Sequence, residues 1–358
     1  MRDIGHEETE RLIREMERKV AEVYQQAAKE TQEKLADYLE RFKTKDAIWQ
    51  RKVEAGEVSA KEWAEWRKGQ LIVGDRWARM QTQLANDMHN ANGIARSVVM
   101  GYRPEVYAIN HNFATYQIER LARVNTGYTL YSRETIERIL REQPELLPPP
   151  GKQMQKKLHD YKMATGKDVA WQKGQIQSVM MQCIVQGESI PGMAKRIANT
   201  LGEFNHGASI RYARTAITGA QNAGRVDAYH RAEELGIELE QQWVATIDNR
   251  TRHEHRQLDR QTAKVGEPFK VDGYEIMFPG DPAAEPEMIW NCRCTLIPAV
   301  KGLTHNFSRR SLAAIDGKSY EEWKAERVSE SHSIYKQEQI AETMKRRYWR
   351  ELYSDADN

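Results

Sequence analysis

The sequence predicts an α+β protein: a mainly helical N-terminal region, then a helix-plus-small-antiparallel-sheet domain, then a helical tail. Three observations predict it. Apolar or small residues recur at steps of three and four from Ile13 to Phe42, the period of a helix with one buried face. The run Gln143-Pro144-Glu145-Leu146-Leu147-Pro148-Pro149-Pro150-Gly151 breaks the helical pattern, because consecutive prolines cannot continue a helix and favour an extended segment. From Glu240 onward the pattern changes to strand formers and tight-turn dipeptides.

The elements follow in order. Ile13, Met16, Val20, Val23, Ala27, Thr31, Leu35, Tyr38 and Phe42 form the stripe of a first helix, long enough to call for a partner surface. Ser59-Ala60-Lys61-Glu62 is a capping box: Ser caps the first amides and Glu reaches back. A second helix therefore starts there and carries Trp63 and Trp66. Further helices are expected over 75–100, 105–124 and 132–142, with His111 read as structural. Residues 1–142 thus form a helical docking region and 143–152 a Pro-rich linker. Helical periodicity resumes near 153–163, 168–187, 189–201 and 206–235. Ser189-Ile190-Pro191-Gly192 is a sound start and Gly236 a sound stop. A strand is expected over 240–247, and Asp272-Gly273 within Phe269–Phe278 supplies the positive φ angles of a tight hairpin. Cys294 to Pro298 is a last short strand. Residues 153–300 form the second domain and 301–358 a polar helical tail. In that tail 331–353 is expected to be helical, and Lys345-Arg346-Arg347 is read as a solvated face.

At 358 residues, with 40% hydrophobic and 30% charged residues, the chain has material for a core beneath a highly charged surface. The aromatic and apolar content excludes wholesale disorder. The formal net charge is +2, without the basic excess of a dedicated nucleic-acid binder. No apolar run is long enough for a transmembrane helix. The start, Met1-Arg2-Asp3-Ile4-Gly5-His6-Glu7-Glu8, lacks the apolar core of a signal peptide, so the chain is expected to be soluble and made in a cytoplasm. Three cysteines do not make a disulfide framework.

The chemistry concentrates in residues 243–297. Asp248-Asn249-Arg250-Thr251-Arg252-His253-Glu254-His255-Arg256-Gln257-Leu258-Asp259 follows the Trp243 strand. Asp248 is suited to cap a helix starting there. On such a helix Thr251, His255 and Asp259 share a face, and Asp248 can pair with Arg252. Asn291-Cys292-Arg293-Cys294 places two thiols two residues apart, on one side of an extended segment. Cysteine and histidine are the ligands zinc prefers, so Cys292, Cys294 and His255 are candidate ligands of a structural zinc. His253, Asp259 and Asp248 are candidates for the fourth, of which Asp259 is taken. Cys183 is read as core.

These residues resemble the phage Mu F-like head morphogenesis family of minor head, or minor capsid, proteins. The resemblance runs in order through Ala213-Arg214-Thr215, Asn222 and Tyr229. It continues with Trp243, Asp248, Arg250, Thr251, Arg252, His255, Leu258 and Asp259. Pro279-Gly280-Asp281-Pro282 and Asn291-Cys292-Arg293-Cys294 complete it. It covers residues from about 160 to 300. Two positions depart from the family pattern: Ala216 stands where a Glu is common and Arg260 where a Gly is common.

The resemblance implies a virion component rather than an enzyme. Its expected place is the capsid interior at the portal vertex, after assembly in the host cytoplasm. Expected partners are the portal protein, the major capsid or scaffold protein and the packaged DNA, with which such a protein can be ejected. No membrane and no small-molecule substrate are implied. Arg214, Asn222, Trp243, Asp248, Arg250, Thr251, Arg252, Asp281 and Asn291 are then structural motif residues. Two alternatives stand beside this. A zinc-dependent hydrolase or nuclease would use Glu254 as general base, although adjacent-but-one His253 and His255 fall on different helix faces, unlike His-Glu-x-x-His. A DNA-binding module inside the head would use Arg250, Arg252, Arg256 and Arg260, where interleaved Asp248, Glu254 and Asp259 favour Arg–carboxylate pairs instead.

Overall fold

A computed structural model describes residues 3–148, 161–300 and 318–328. The sequence expectations for 149–160, including the end of the Pro-rich linker, lie outside these residues. So do those for most of the 301–358 tail, with its 331–353 helix and Lys345-Arg346-Arg347.

The chain opens with α1 (Ile4–Glu54), whose first turn is capped by the Asp3 carboxylate accepting from His6 N at 2.9 Å. At 51 residues it is about 75 Å long. Its stripe Leu12, Ile13, Met16, Val20, Tyr24, Leu35 and Leu39 is buried. Helix α2 (Ala60–Leu71) carries the expected capping box: Ser59 and Glu62 each bond the other's backbone N–H. It is held to α1 by the buried Arg67–Asp46 pair at 2.7 Å. Arg67 also donates to the Glu188 carbonyl, fixing this hairpin to the turn before α6.

Helix α3 (Asp75–Ala122) replaces the two helices expected over 75–100 and 105–124 and runs through Pro104. An interior proline costs about 3 kcal/mol. Val99, Tyr102, Val106 and Tyr107 on both sides of it are buried in the same core, and that burial carries the helix across. Then come α4 (Arg133–Glu142), a 3-10 turn (Pro144–Leu146), α5 (Tyr161–Val185) and α6 (Ile190–Glu234). Helix α6 likewise merges the segments expected at 189–201 and 206–235. The residues at the expected break are used for packing: Gly202 lies against Ala28 and Tyr24 of α1, and Asn205 bonds Leu201 O, Gln172 and Asn92.

The rest of the described chain is β1 (Leu239–Val244), α7 (His253–Leu258), β2 (Thr262–Lys264), β3 (Phe269–Val271), β4 (Tyr274–Ile276), α8 (Pro286–Ile289) and β5 (Thr295–Val300), with a final helical segment, α9, at 320–328. The strands form an antiparallel sheet β2-β1-β5, in which Trp243 faces Leu296, and a separate β3–β4 hairpin. Asp272 (φ 46°) and Gly273 (φ 84°) make its turn as expected.

Helices α1, α3 and α6 pack on one another along their lengths. A single apolar cluster runs from Leu12 to Ala220, so the helices before and after the Pro-rich segment share one core. A second cluster, centred on Trp243, joins the end of α6 to the sheet and hairpin. In a third, Tyr320 and Trp323 of α9 pack on Phe113 and Tyr116 of α3. There Arg327 pairs with buried Glu119 at 2.5 Å. Among the described residues no helix is long and apolar enough to cross a membrane.

The α3–α6 crossing depends on Gly224: a methyl there would run into the Tyr107 carbonyl oxygen. Gly224→Ala is expected to cost about 1–3 kcal/mol in denaturant unfolding. Gly93→Ala meets nothing within 4 Å and is expected to stabilise by up to about 1 kcal/mol. Equal effects at the two sites would refute the close crossing.

The same crossing buries His111, stacked on Tyr131 with ring centroids 4.1 Å apart, and places its Nε2 3.6 Å from Asp227. Burial, helped by the Arg231 charge, lowers the His111 pKa to about 3. The unfolded chain then takes the proton first, so this contribution is complete above about pH 6.5 and is lost as pH falls toward 3. Asp227 acts in the opposite sense. Burial raises its carboxyl to about 6, so stability is gained as pH falls from 6 toward the ordinary value of about 3.9. Asp227→Asn removes the opposing contribution. That variant is expected to lose up to about 1.4 kcal/mol more per pH unit than the parent between pH 7 and 5, measured by urea unfolding. Parallel pH profiles would contradict this assignment.

Candidate metal centre

One polar stripe on α6 organises the site. Thr215, Thr218, Gln221, Asn222 and Arg225 are all buried, at steps of three and four. Buried polar groups are costly unless bonded, and each of these bonds the segment 291–296. Thr215 Oγ1 accepts from Asn291 N at 3.1 Å, and Thr218 Oγ1 donates to Cys292 O at 2.8 Å. Asn222 Nδ2 donates to Cys294 O (3.2 Å) and Pro279 O (3.0 Å), while its Oδ1 accepts from Leu296 N at 3.1 Å. Gln221 donates to Thr295 Oγ1 at 2.9 Å and Arg225 to Leu296 O at 2.7 Å. The Pro-Gly-Asp-Pro turn sits on the same helix: a methyl on Gly219 would lie 2.7 Å from Gly280 O. Asp281 ties that turn by accepting from Ala283 N and Met277 N. Arg214 faces away from the site and pairs with Glu17 of α1 at 2.5 Å.

The segment 245–252 is a turn, which corrects the expected helix start at Asp248. The Asp248 carboxylate accepts from Arg250 N at 2.9 Å and holds the Arg293 guanidinium through bonds of 2.7 and 2.8 Å. The hydrogen bonds from Arg293 hold its pKa well below the usual carboxylate range. Thr251 locks the turn by accepting from Asp248 N and donating to Thr246 O. Arg252, expected to pair with Asp248, is extended and donates to Trp290 O instead. Helix α7 begins only at His253, so Thr251 and Asp259 lie outside it and do not share a helix face with His255. Arg256 caps the turn by donating to Asp248 O and Thr251 O. Arg250 and Arg260 keep side chains 68% and 87% exposed.

These contacts bring His255, Cys292 and Cys294 together, all buried, with their ligand atoms within 4.8 Å of one another. His255 Nε2 lies 2.9 Å from Met288 O. A carbonyl only accepts, so Nε2 carries a proton and Nδ1 is the nitrogen left to face the sulfurs. Its distances are 3.7 Å to Cys292 Sγ and 3.4 Å to Cys294 Sγ. A tetrahedral zinc with ordinary Zn–S and Zn–N lengths sets sulfur and nitrogen about 3.6 Å apart. The donor set and spacing therefore fit such an ion. The Met288 contact is the backbone anchor that metal-binding histidines commonly use. Cys294 N donates to Cys292 Sγ at 3.4 Å. The hydrogen bond between the thiols, with burial, pushes Cys292 up, and the same bond holds Cys294 down against the opposing effect of burial. Fully buried Trp243 stands edge-on to His255 and Phe269.

The other ligand candidates lie outside this group. Asp259 accepts from Ala245 N at 2.9 Å and sits beside Arg260. His253 is exposed and bonds Gln257, Glu254 is not in the group, and Asp248 is engaged with Arg293. Cys183 is buried core. Sequence reasoning missed the carbonyl contacts of Thr218 and Arg225, although the polar spacing 215, 218, 222, 225 carried the signal.

Residues 174–297 match the model of the family described as Phage Mu protein F like protein, close to the range expected from the motifs. The chain is 30% identical over 188 residues to "NAD(+)--arginine ADP-ribosyltransferase EFV" of Enterococcus faecalis, covering 52% of this chain and 37% of that protein. It is 25% identical over 229 residues to "Minor head protein GP7" of Bacillus phage SPP1, covering 62% of this chain and 69% of that protein. The chain thus spans little more than a third of the transferase relative. No solved structure matches the chain. One expectation is corrected here. The chain was expected to be no enzyme, and a relative that is 30% identical over 188 residues bears an enzyme's name.

Asn222 offers the direct test of the α6 ladder. Asn222→Ala strands Cys294 O, Pro279 O and Leu296 N, at about 1–3 kcal/mol for each buried group left unsatisfied. Denaturant unfolding is expected to show a loss of at least about 3 kcal/mol, and a loss under about 1 kcal/mol would show that the ladder is dispensable. The motif residues lie in one ladder, and over the same stretch, residues 174–297, the chain resembles the phage Mu F-like minor head family.

Proposed function

We propose that the chain is a minor head protein of a tailed bacteriophage that associates with the portal and capsid interior during head morphogenesis and can leave with the DNA. The similarity to a minor head protein over 69% of that relative's length carries this reading. The same resemblance supports the portal protein, the major capsid or scaffold protein and the packaged DNA as partners, and the virion as location. Within this reading, residues 1–142 dock on the partner and 153–300 hold the site segment in place. The docking role draws support from the tip of the α1–α2 hairpin, where Trp49 and Trp66 stack at 5.5 Å, partly buried, beside Ile48 at 43% exposure. Such aromatic anchors dominate protein interfaces.

The test is co-expression of the full chain with the portal protein and recovery of a complex. Replacing both Trp49 and Trp66 with Glu is expected to weaken that complex at least about tenfold while unfolding stays unchanged. A chain that never copurifies with portal, capsid or scaffold protein would overturn the reading.

Zinc belongs to this proposal as a structural ion on His255, Cys292 and Cys294, and the sulfur–nitrogen distances support it. One zinc per chain is expected by elemental analysis of the purified protein. Cys292→Ser and Cys294→Ser should lose it and Asp259→Asn should retain it. Zinc retained by both Cys variants would place the ion elsewhere.

The transferase relative sets a second reading, transfer of ADP-ribose from NAD+ to arginine. Incubation of the full chain with labelled NAD+ and an arginine-rich protein decides it: arginine-linked label supports the reading and unlabelled arginine removes it.

A further inference from the structure

We propose that Arg225 couples occupancy of the metal site to the first turn of α1, so that the ion fixes the N-terminal helix as well as its own loop. This rests on the zinc reading above and extends it to residues far from the ligands.

The route is a continuous set of buried bonds. Cys292 O and Cys294 O are held by Thr218 and Asn222, and two residues after Cys294 the Leu296 carbonyl accepts from Arg225 Nη1 at 2.7 Å. The same guanidinium holds Asp3 through both carboxylate oxygens, at 2.9 and 2.7 Å. Its Nε and Nη2 donate to Asn110 Oδ1 at 3.0 and 2.9 Å. Asn110 in turn donates to Thr9 Oγ1 at 2.8 Å, and Thr9 donates to Gly5 O at 2.7 Å. Asp3 is also the α1 cap, so one side chain serves both the helix start and the guanidinium. Gly5 leaves no slack: a methyl there would stand 2.9 Å from Asn110 Oδ1.

Arg225 is fully buried, and breaking a buried charge pair on one side is strongly destabilising. Its donors are divided between a backbone carbonyl of the site segment and two side chains of the N-terminal layer. If the 291–296 segment shifts without its ion, the guanidinium loses one acceptor, and the Asp3 cap shares the displacement.

Hydrogen exchange on the full chain tests this, comparing zinc-loaded protein with protein stripped by a chelator. The peptide over residues 3–12 is the reporter and the α1 interior over 31–39 the internal control. Zinc is expected to slow exchange at 3–12 by at least about fivefold, the low end of ordinary coupling between sites, with the control unchanged. Asp3→Asn should still bind one zinc but lose this response. By reciprocity it should bind zinc more weakly by the same factor in chelator competition. Arg225→Lys, which keeps the charge but cannot span Leu296 and Asp3, should behave likewise. If that variant fails to fold, Asp3→Asn alone decides. One zinc bound with no change at 3–12 overturns the coupling and leaves the zinc reading intact. Failure to bind zinc at all removes both.

Discussion

A buried guanidinium is the constraint on which this fold turns. Arg225 is shut off from bulk solvent, and its charge is compensated by Asp3 from the first turn of α1. Its remaining donors go to Asn110 of α3 and Leu296 of β5. Four parts of the chain must be in place before that charge is satisfied. Burial would raise the Asp3 pKa, but the Arg225 charge and the hydrogen bonds outweigh it and keep Asp3 ionised. Buried ion pairs contribute little net stability when well made and cost much when half made. The pair therefore selects one arrangement of α1, α3, α6 and β5 more than it deepens the well. The Arg67–Asp46 pair, also donating to Glu188 O and joined by Trp63 Nε1, performs the same selection at the other end of the bundle.

Between these two fixed points the helices approach closely where glycine allows it. Gly224 admits the Tyr107 carbonyl, and Gly219 admits the Pro-Gly turn. The second contact matters for the site, because Asn222 reaches Pro279 O and Cys294 O from the same turn of α6. The two cysteines are thus held by a helix that contributes no ligand, while His255 is anchored on Met288 O. The cysteine geometry is inherited from backbone carbonyls pinned to α6.

The sequence made the local features legible. Three- and four-step apolar spacing located the helices, the Ser59–Glu62 box located a helix start, and Asp272-Gly273 located the hairpin. All of these depend on neighbours within a few residues. Cys292, Cys294 and His255 were legible because their side-chain chemistry is restrictive. What stayed hidden depends on partners distant in the chain. The expected break between 100 and 105 closes only once burial on both sides of Pro104 is known, and the one between 201 and 206 only once Gln172 and Asn92 are seen to meet Asn205. Asp248 reads as a helix cap because Arg293, 45 residues away, is invisible to local spacing. Asp3 and Arg225, 222 residues apart, gave no signal that they meet.

The order of the core has a consequence for synthesis. The stripe on α1 is complete once residue 54 has been made, but the helix that covers much of it ends at residue 234. At ordinary translation rates that interval lasts roughly 10–40 s. Over that time the part of the face that α6 covers, with the Asp3 carboxylate at its head and no guanidinium to receive it, stays open on an unfinished chain. An emerging polypeptide of this design is adhesive well before it is folded, and its yield in a cell depends on what else is near the ribosome during those seconds.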